Sequence, residues 1–470
     1  MRLLNAKTLA LHSFIDDSHV PKYAILSHTW KSEEVTFEQI RKTAHEELKH
    51  KAGFKKIQLA ARQALQDGYY YIWIDTCCID KSSSSELSES INSMFKWYKM
   101  AGICYAYLDD VDVHANRPEP WVDSFGLQRE YVEEEELAKA KWFTRGWTLQ
   151  ELLAPDKLRF YVKGWTYVGD KSYLEPKISR ITGITIDALD SGNELGSYSV
   201  AMRMSWASKR RTTRAEDMAY CLLGLFDVNM PLLYGEGGEK AFTRLQQEIL
   251  EDSSDCSVFA WVNVIEAPQP SWKSDVAQRL LTNDSGGRSI FAHNPREFHL
   301  SGRIRSSHTG EILVTSVGVK VELPIFSLPH LSTKMTDAEG KVTANQDLFV
   351  VLLYWIHSDE GKQPGGIDWT QEGHSTEENT GLVVRRCHKG ELGAPDMFLR
   401  HEGYGLIRDP GIVLKKEDFR PMYLCKKVPD SNMRRRLRIN RFESEAREPR
   451  VYPKFVGLPK GVFEYLFTPE

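Results

Sequence analysis

The chain has 470 residues, a length that predicts two or three domains. Hydrophobic residues make up 41% and charged residues 27%, the balance of a soluble globular protein and not of a disordered or fibrous one. A net charge of -4 argues against a dedicated nucleic-acid binder, whose usual mark is a basic footprint.

The N-terminal MRLLNAKTLALHSFIDD (Met1–Asp17) has no long apolar core and turns acidic early, unlike a signal peptide. No stretch approaches the roughly 18 apolar residues of a membrane span, so no transmembrane segment is expected. The seven cysteines are odd in number and irregularly spaced, which predicts reduced thiols and a cytoplasmic location.

YAILSHTW (Tyr23–Trp30) reads as a first apolar strand ending in polar residues. Phe37–Gly68 reads as helix with a break near Gly53, and YYYIWIDTCCID (Tyr69–Asp80) as a second strand ending polar. Ile91, Met94, Phe95 and Tyr98 have helical spacing within Ser83–Gly102, with Ser83 and Glu86 as a capping box and Gly102 as a C-cap. ICYAYLDD (Ile103–Asp110) and LRFYV (Leu158–Val162) are the third and fourth strands. Between them lies the acidic run Glu133–Glu136, expected as a solvated helix face. Apolar strands alternating with helices indicate a parallel sheet covered on both faces, with ligands bound beyond the carboxyl ends of the strands. Polar residues gather at those ends: Ser27 and His28, Asp75 to Asp80, Asp109 and Asp110.

Residues 166–252 read as helical. From Cys256 the texture turns to short strands and turns, which predicts a separate mostly-β domain, with a sandwich as its candidate form.

Three stretches, YAILSHTW, YIWIDTCCID and RGWTLQELLAP (Arg145–Pro155), resemble the HET domain of fungal heterokaryon-incompatibility proteins. MSWASKRRTTRAEDMAYCLLGLFDVNMPLLYGEG (Met204–Gly237) resembles the segment that often follows it, and the likeness spans roughly residues 20–255. AILSHTW and WTLQEL also resemble, more distantly, the first strand and the Trp-x-x-x-Glu-Leu helix of TIR domains, which are flavodoxin-like α/β domains. That likeness implies a TIR-like domain that cleaves NAD⁺, with Glu151 as the catalytic carboxylate, NAD⁺ as substrate and no bound cofactor. It also implies self-association on activation by a protein not identified by the sequence. His28 and Trp30 depart from the TIR pattern, so nucleotide contacts there do not carry over.

Cleavage of a nicotinamide–ribose bond releases a neutral base and leaves an oxocarbenium-like ribose, which a carboxylate can stabilise. Trp147 and Glu151 stand at i and i+4, on one helix face. Burial would raise the Glu151 pKa, whereas the chemistry needs it ionised; Arg145 could keep it charged, or bind a diphosphate. The bland alternative is a capping box, Thr148-x-x-Glu151. Ser27, His28, Trp30, Asp75, Arg145 and Trp147 are the candidate substrate contacts. His28 reads equally as a strand-end histidine orienting Trp30, and Asp75 and Asp80 as helix caps or turn residues.

Cys77 and Cys78 are adjacent, against the spacing of a metal site, and no metal is expected. A thiol nucleophile paired with His28 is conceivable, but small core thiols fit better. YGEGGEKAF (Tyr234–Phe242) lacks the spacing of a phosphate loop and reads as a Gly-rich start of a helix. The basic run Arg434–Arg441 fits either an anionic partner or a strand with one solvated face.

The expected organisation is a TIR-like α/β domain with flanking helices over 1–165, a helical extension over 166–255 and a β-rich domain over 256–470. The expected role is non-self recognition and programmed cell death. NAD⁺ cleavage is one reading, and a non-enzymatic module acting by oligomerisation is the other.

Overall fold

The computed structural model describes residues 1–113, 121–122, 128–190, 194–262, 289–304, 312–315, 318–327, 348–353, 378–386, 397–400, 406–410 and 419–425. These divide between two compact units, Met1–Ser197 with Lys209–Leu245, and Tyr198–Ser208 with Gln246–Glu470. Among the described residues no helix is long and apolar enough to cross a membrane.

The first unit opens with β1 (Arg2–Asn5), β2 (Leu11–Ser13) and β3 (Ala24–His28). Three helices follow, α1 (Phe37–Lys42), α2 (His45–Leu48) and α3 (Ala52–Gln66). The breaks fall at Thr43–Ala44 and Lys49–Lys51, and Gly53 lies inside α3. Then come β4 (Tyr71–Trp73), the short α4 (Asp75–Cys78), α5 (Ser84–Met100) and β5 (Ile103–Leu108). Ser83 caps α5 by accepting from the Glu86 amide, but the reciprocal half of the box is missing. The Glu86 carboxylate instead holds Arg2 and accepts from the Asp80 amide, and α5 ends on Ala101 one residue before Gly102.

A two-stranded ribbon, β6 (Trp121–Val122) with β7 (Gln128–Arg129), precedes α6 (Glu134–Ala138), whose Glu134 pairs with Arg180 at the surface. Next are α7 (Thr148–Leu153), β8 (Leu158–Val162), β9 (Thr166–Asp170), α8 (Lys171–Thr182) and α9 (Ile186–Leu189). After α10 (Val200–Ala207), which belongs to the second unit, the first unit closes with α11 (Asp217–Tyr220), α12 (Leu223–Phe226) and the start of α13 (Gly238–Asp252).

The fold class is α/β, with a seven-stranded mixed sheet in the order β2-β1-β4-β3-β5-β8-β9. The four central strands are parallel as expected. The edges correct that expectation: β1 runs antiparallel to β4, β2 to β1, and β9 to β8. Residues 166–170 are therefore strand and not helix. TYVGD holds two glycine-or-acid positions and a short apolar pair, a pattern too brief to distinguish a hairpin arm from a helix start.

Alternation along the strands assigns the two faces. Ser27 opposes Ala106, which opposes Phe160, and His28 opposes Tyr107, which opposes Tyr161. The Ser27 face is covered by α5, where Trp73 packs on Trp97 and Tyr98, and by the turn Lys141–Thr144, where Trp142 packs on Phe160. The His28 face carries Tyr105, whose hydroxyl donates to Asp67 at the end of α3, with Arg159 on the same carboxylate.

In the second unit, β10 (Leu313–Val314), β11 (Gly318–Ser327), β12 (Leu348–Leu353), β13 (Glu378–Arg386), β14 (Met397–Arg400), β15 (Leu406–Pro410) and β16 (Phe419–Cys425) form one largely antiparallel sheet. Only β14 with β16 is parallel. Among the described residues this is one sheet, not the two of a sandwich. The α10 helix is capped three ways: Ser199 accepts from Met202, Asp255 from Val200 and Ser257 from Ala201. The basic run Arg434–Arg441 lies outside the described residues.

Trp73 is fully buried, with ring centroids of Trp97 and Tyr98 at 5.7 and 5.8 Å. Trp73→Ala should lose about 3–5 kcal/mol of stability in denaturant unfolding, since the sheet cannot collapse onto the vacated volume.

Candidate functional site

Ser27 and His28 end β3 and, being consecutive in a strand, point to opposite faces of the sheet. Each anchors its own cluster. On one face the Trp142 indole N–H donates to Ser27 Oγ at 2.7 Å, and Ser27 Oγ donates in turn to Glu151 Oε2. The Tyr98 hydroxyl, which donates to the Leu26 carbonyl at 3.1 Å, lies against the same carboxyl.

Glu151 is 7% exposed and has no salt bridge among the described residues. Burial pushes its carboxyl up from 4.5 to about 8; the hydrogen bond from Ser27 lowers it, the charge of Asp75 raises it, and Arg145 lowers it. The expectation that Arg145 keeps Glu151 ionised is thereby corrected, because desolvation outweighs a half-buried guanidinium.

On the other face His28 Nε2 meets Asp75 Oδ1 at 2.9 Å, and the Trp30 indole donates to Asp75 Oδ2 at 2.7 Å. Asp75 thus sets both residues at once, and Trp30 stays 45% exposed with Lys81 Nζ 3.4 Å above its ring. Burial alone would raise Asp75, but His28, Lys81 and Trp30 together bring its carboxyl down to about 2. Among the described residues His28 Nδ1 is buried without a hydrogen bond, with Glu34 Oε1 4.0 Å away.

The α7 helix is six residues long, all buried, and Pro155 follows its end. It does not form the capping box: Trp147 occupies the N-cap without a side-chain bond, and Thr148 donates instead to the carbonyls of Trp142 and Arg145. Glu151 is therefore released from the backbone and committed to Ser27. Trp147 is not brought to the Ser27 cluster; its indole donates to Asp217 Oδ2 at 3.3 Å, with the Tyr234 hydroxyl on the other oxygen at 3.0 Å. Arg145 is half-buried, and its guanidinium makes no hydrogen bond among the described residues.

Residues 23–151 match the model of the heterokaryon incompatibility protein family, HET. The chain carries a HET domain. The match begins one residue before β3 and ends on Glu151, so it takes in both clusters and three of the four parallel strands, with β8 beyond it. Residues 240–364 match a family described as a domain of unknown function, DUF8212. The chain is also similar to vegetative incompatibility protein HET-E-1 of Podospora anserina, 47% identical over 238 residues. That alignment covers 50% of this chain and only 16% of the relative. No solved structure matches the chain.

Within and beside the HET domain, several other sequence readings find their place. Cys77 and Cys78 are buried at the turn of α4, where Cys78 Sγ accepts from the Ile74 amide and Cys77 Sγ faces the Ile74 carbonyl. The Cys77 thiol is pushed well up by Cys78 and by burial, and His28 is engaged by Asp75, so no thiolate–imidazole pair forms. The Gly-rich loop before α13 holds Gly235 and Gly237 at positive φ, and their amides both donate to Glu216 Oε1. An open groove of about 660 Å³ lies among Arg2, Leu11, Phe37, Arg41 and His45, lined by none of the site residues.

Three residues of the site escaped the sequence reading. Trp142 stands five residues before Trp147 in the same run and could have been found there. Tyr98 reads as one more apolar position of α5. Arg210, whose Nη1 donates to the Arg145 carbonyl and to Thr148 Oγ1 at the start of α7, sits in KRR, which resembles any solvated basic run.

The Glu151 shift fixes the sign of a stability measurement. A carboxyl whose folded pKa is raised costs nothing while both states are protonated, below about pH 4.5. Between that pH and about 8 the unfolded chain ionises and the folded one does not, so stability falls as pH rises. Glu151→Gln, which keeps an acceptor for Ser27, should match wild type near pH 4 and exceed it by roughly 1–4 kcal/mol at pH 8. Paired denaturant titrations across this range measure the difference.

Proposed function

We propose that the chain acts in fungal non-self recognition leading to cell death, through a TIR-like HET domain that cleaves the nicotinamide–ribose bond of NAD⁺. The observation that carries this reading is Glu151, a buried carboxyl in no salt bridge among the described residues, at the carboxyl end of the parallel strands. The parallel strands, taken in chain order, lie second-first-third-fourth across the sheet, the order of flavodoxin-like folds. That order supports the TIR-like reading, and a switch between β3 and β5 is where such sheets bind ligands.

The chemistry suits the charge of the site. NAD⁺ brings a cationic nicotinamide ring, and a positive charge beside Glu151 supplies what its burial lacks, lowering its pKa on binding. The N–C1′ bond then breaks, its electron pair going to the ring nitrogen, and nicotinamide leaves neutral. The ionised Glu151 stabilises the oxocarbenium-like ribose until water adds at C1′, giving ADP-ribose and a proton. The Arg145 guanidinium is available for the diphosphate.

Glu151 is closed off at rest, so the substrate reaches it only after α7 shifts. Self-association is the proposed trigger, and the resting monomer is inactive. The second reading, a non-enzymatic module that signals by oligomerisation, draws its support from that same burial.

Purified protein at high concentration should release nicotinamide from NAD⁺, while a Glu151→Gln variant at least as stable as wild type releases at least 100-fold less, the scale on which loss of one electrostatic group acts (~10²–10³). Thiol-blocking reagents should leave the rate unchanged. Absence of nicotinamide release from wild type under forced assembly would favour the non-enzymatic reading.

A further inference from the structure

Arg210 is 2% exposed, yet no carboxylate lies within salt-bridge distance among the described residues. Its Nη1 donates to the Arg145 carbonyl and to Thr148 Oγ1, each at 2.9 Å, while Nη2 is buried with no hydrogen-bond partner among the described residues. The next residue's backbone is laced to the turn before α7. The Arg211 amide donates to the Thr144 carbonyl at 2.7 Å, and the Gly146 amide to the Arg211 carbonyl at 2.9 Å. Gly146 is required there, since a Cβ would stand 2.5 Å from Thr212 Cγ2 and 3.0 Å from Cys221 Sγ. A guanidinium is the least easily neutralised side chain, so a buried one without an anion is a standing demand for negative charge.

We infer that Arg210 is the positioning residue of Glu151: it fixes the turn from which α7 starts and supplies the buried cation against which Glu151 can ionise. Glu151 stands three residues beyond Thr148 on α7 and is the carboxyl whose charge acts on Arg210. Burial lowers the Arg210 guanidinium to about 10, and the charges of Cys221 and then Glu151 raise it. The groups that act on Glu151 by hydrogen bond or charge are Ser27 from β3, Asp75 from α4, Tyr98 from α5 and Arg145 before α7, and Glu151 acts in turn on Cys104 from β5 and on Arg210. Of these Asp75 opposes its charge, and Cys104 is itself pushed well above its ordinary value by burial. The two guanidiniums are the only permanent cations of the set, and Arg210 is the one shielded from salt and solvent.

The inference rests on the NAD⁺ reading for its activity readout alone; the titration of Glu151 stands without it. The titration midpoint is read from the pH dependence of the stability difference between Glu151 and Glu151→Gln. It is measured with arginine at 210 and in the backgrounds Arg210→Lys and Arg210→Gln, with Arg210→Met as a second neutral variant should Arg210→Gln fail to fold. A neutral residue at 210 should move the midpoint up by about one pH unit, the scale of losing one nearby opposite charge. Arg210→Lys should restore most of that shift, although it loses the fork onto Arg145 and Thr148. The pH profile of nicotinamide release should move by the same amount in the same direction. Equal midpoints in all three backgrounds, with stability alone reduced, would overturn the inference and leave Arg210 a structural tie. A midpoint that moves while wild type releases no nicotinamide upholds Arg210 and rejects NAD⁺ as the substrate.

Discussion

One hydrogen bond organises the HET domain: Ser27 at the end of the central strand donating to Glu151 on a six-residue helix. The helix is too short to persist by itself, since isolated helices below about 12 residues are marginal in water. It exists because every side chain on it is buried and because its first turn is tied to the Lys141–Thr144 turn and to Arg210 and Arg211. The sheet fixes Ser27, the Trp142 indole donates to a lone pair of its hydroxyl so that the hydroxyl proton is directed to Glu151, and Glu151 closes the line. Removing the tie at any point would leave a buried polar group unsatisfied, which costs more than the bond itself contributes.

The same strand serves two faces. Ser27 and His28 are neighbours in sequence, yet the pleat sends them to opposite sides, where one meets a neutral-leaning carboxyl and the other an ionised one. Asp75 is held by an imidazole, an indole and the Lys81 ammonium, whereas Glu151 has a hydroxyl and a guanidinium some way off. Hydrogen-bond donors and charge decide the first case and desolvation the second. The charge of Asp75 reaches across the strand ends to raise Glu151, so the two clusters are electrically linked although no side chain joins them.

The parallel core was legible because Tyr23–Trp30, Tyr69–Asp80 and Ile103–Asp110 are apolar runs of strand length with polar ends. The edges were not. RLLN and TYVGD are too short for periodicity to speak: RLLN is fixed by pairing with β4, remote in sequence, and TYVGD by folding back on β8 across a short hairpin. Glu151 was legible as a residue of interest from RGWTLQEL, but not its environment. Thr148-x-x-Glu151 fits a capping box in every local respect, and only the tertiary competition of Ser27 for the carboxyl and of two carbonyls for Thr148 defeats it. Arg210 was illegible for a different reason: charge run and buried guanidinium share one spelling, and only packing separates them. The pairing of Trp147 with Asp217, some 70 positions on, is likewise a fact of contact and not of pattern.

Two carboxyls pushed apart, one to about 2 and one to about 8, are the arrangement in which a single fold can hold a charged group and a protonated group at neutral pH. The permanently ionised Asp75 has its partners already, so it can orient His28 and Trp30 without changing state. Glu151 is poised differently. Its neutral form is the cheaper one in the closed domain, and any event that brings positive charge or water to it shifts the balance. Under the proposed function a cationic substrate would do so directly, and an assembly step that lifts α7 would do so by relieving burial. Both act through the same desolvation that closes the site at rest, so in the proposed reaction the latch and the catalytic group are one side chain.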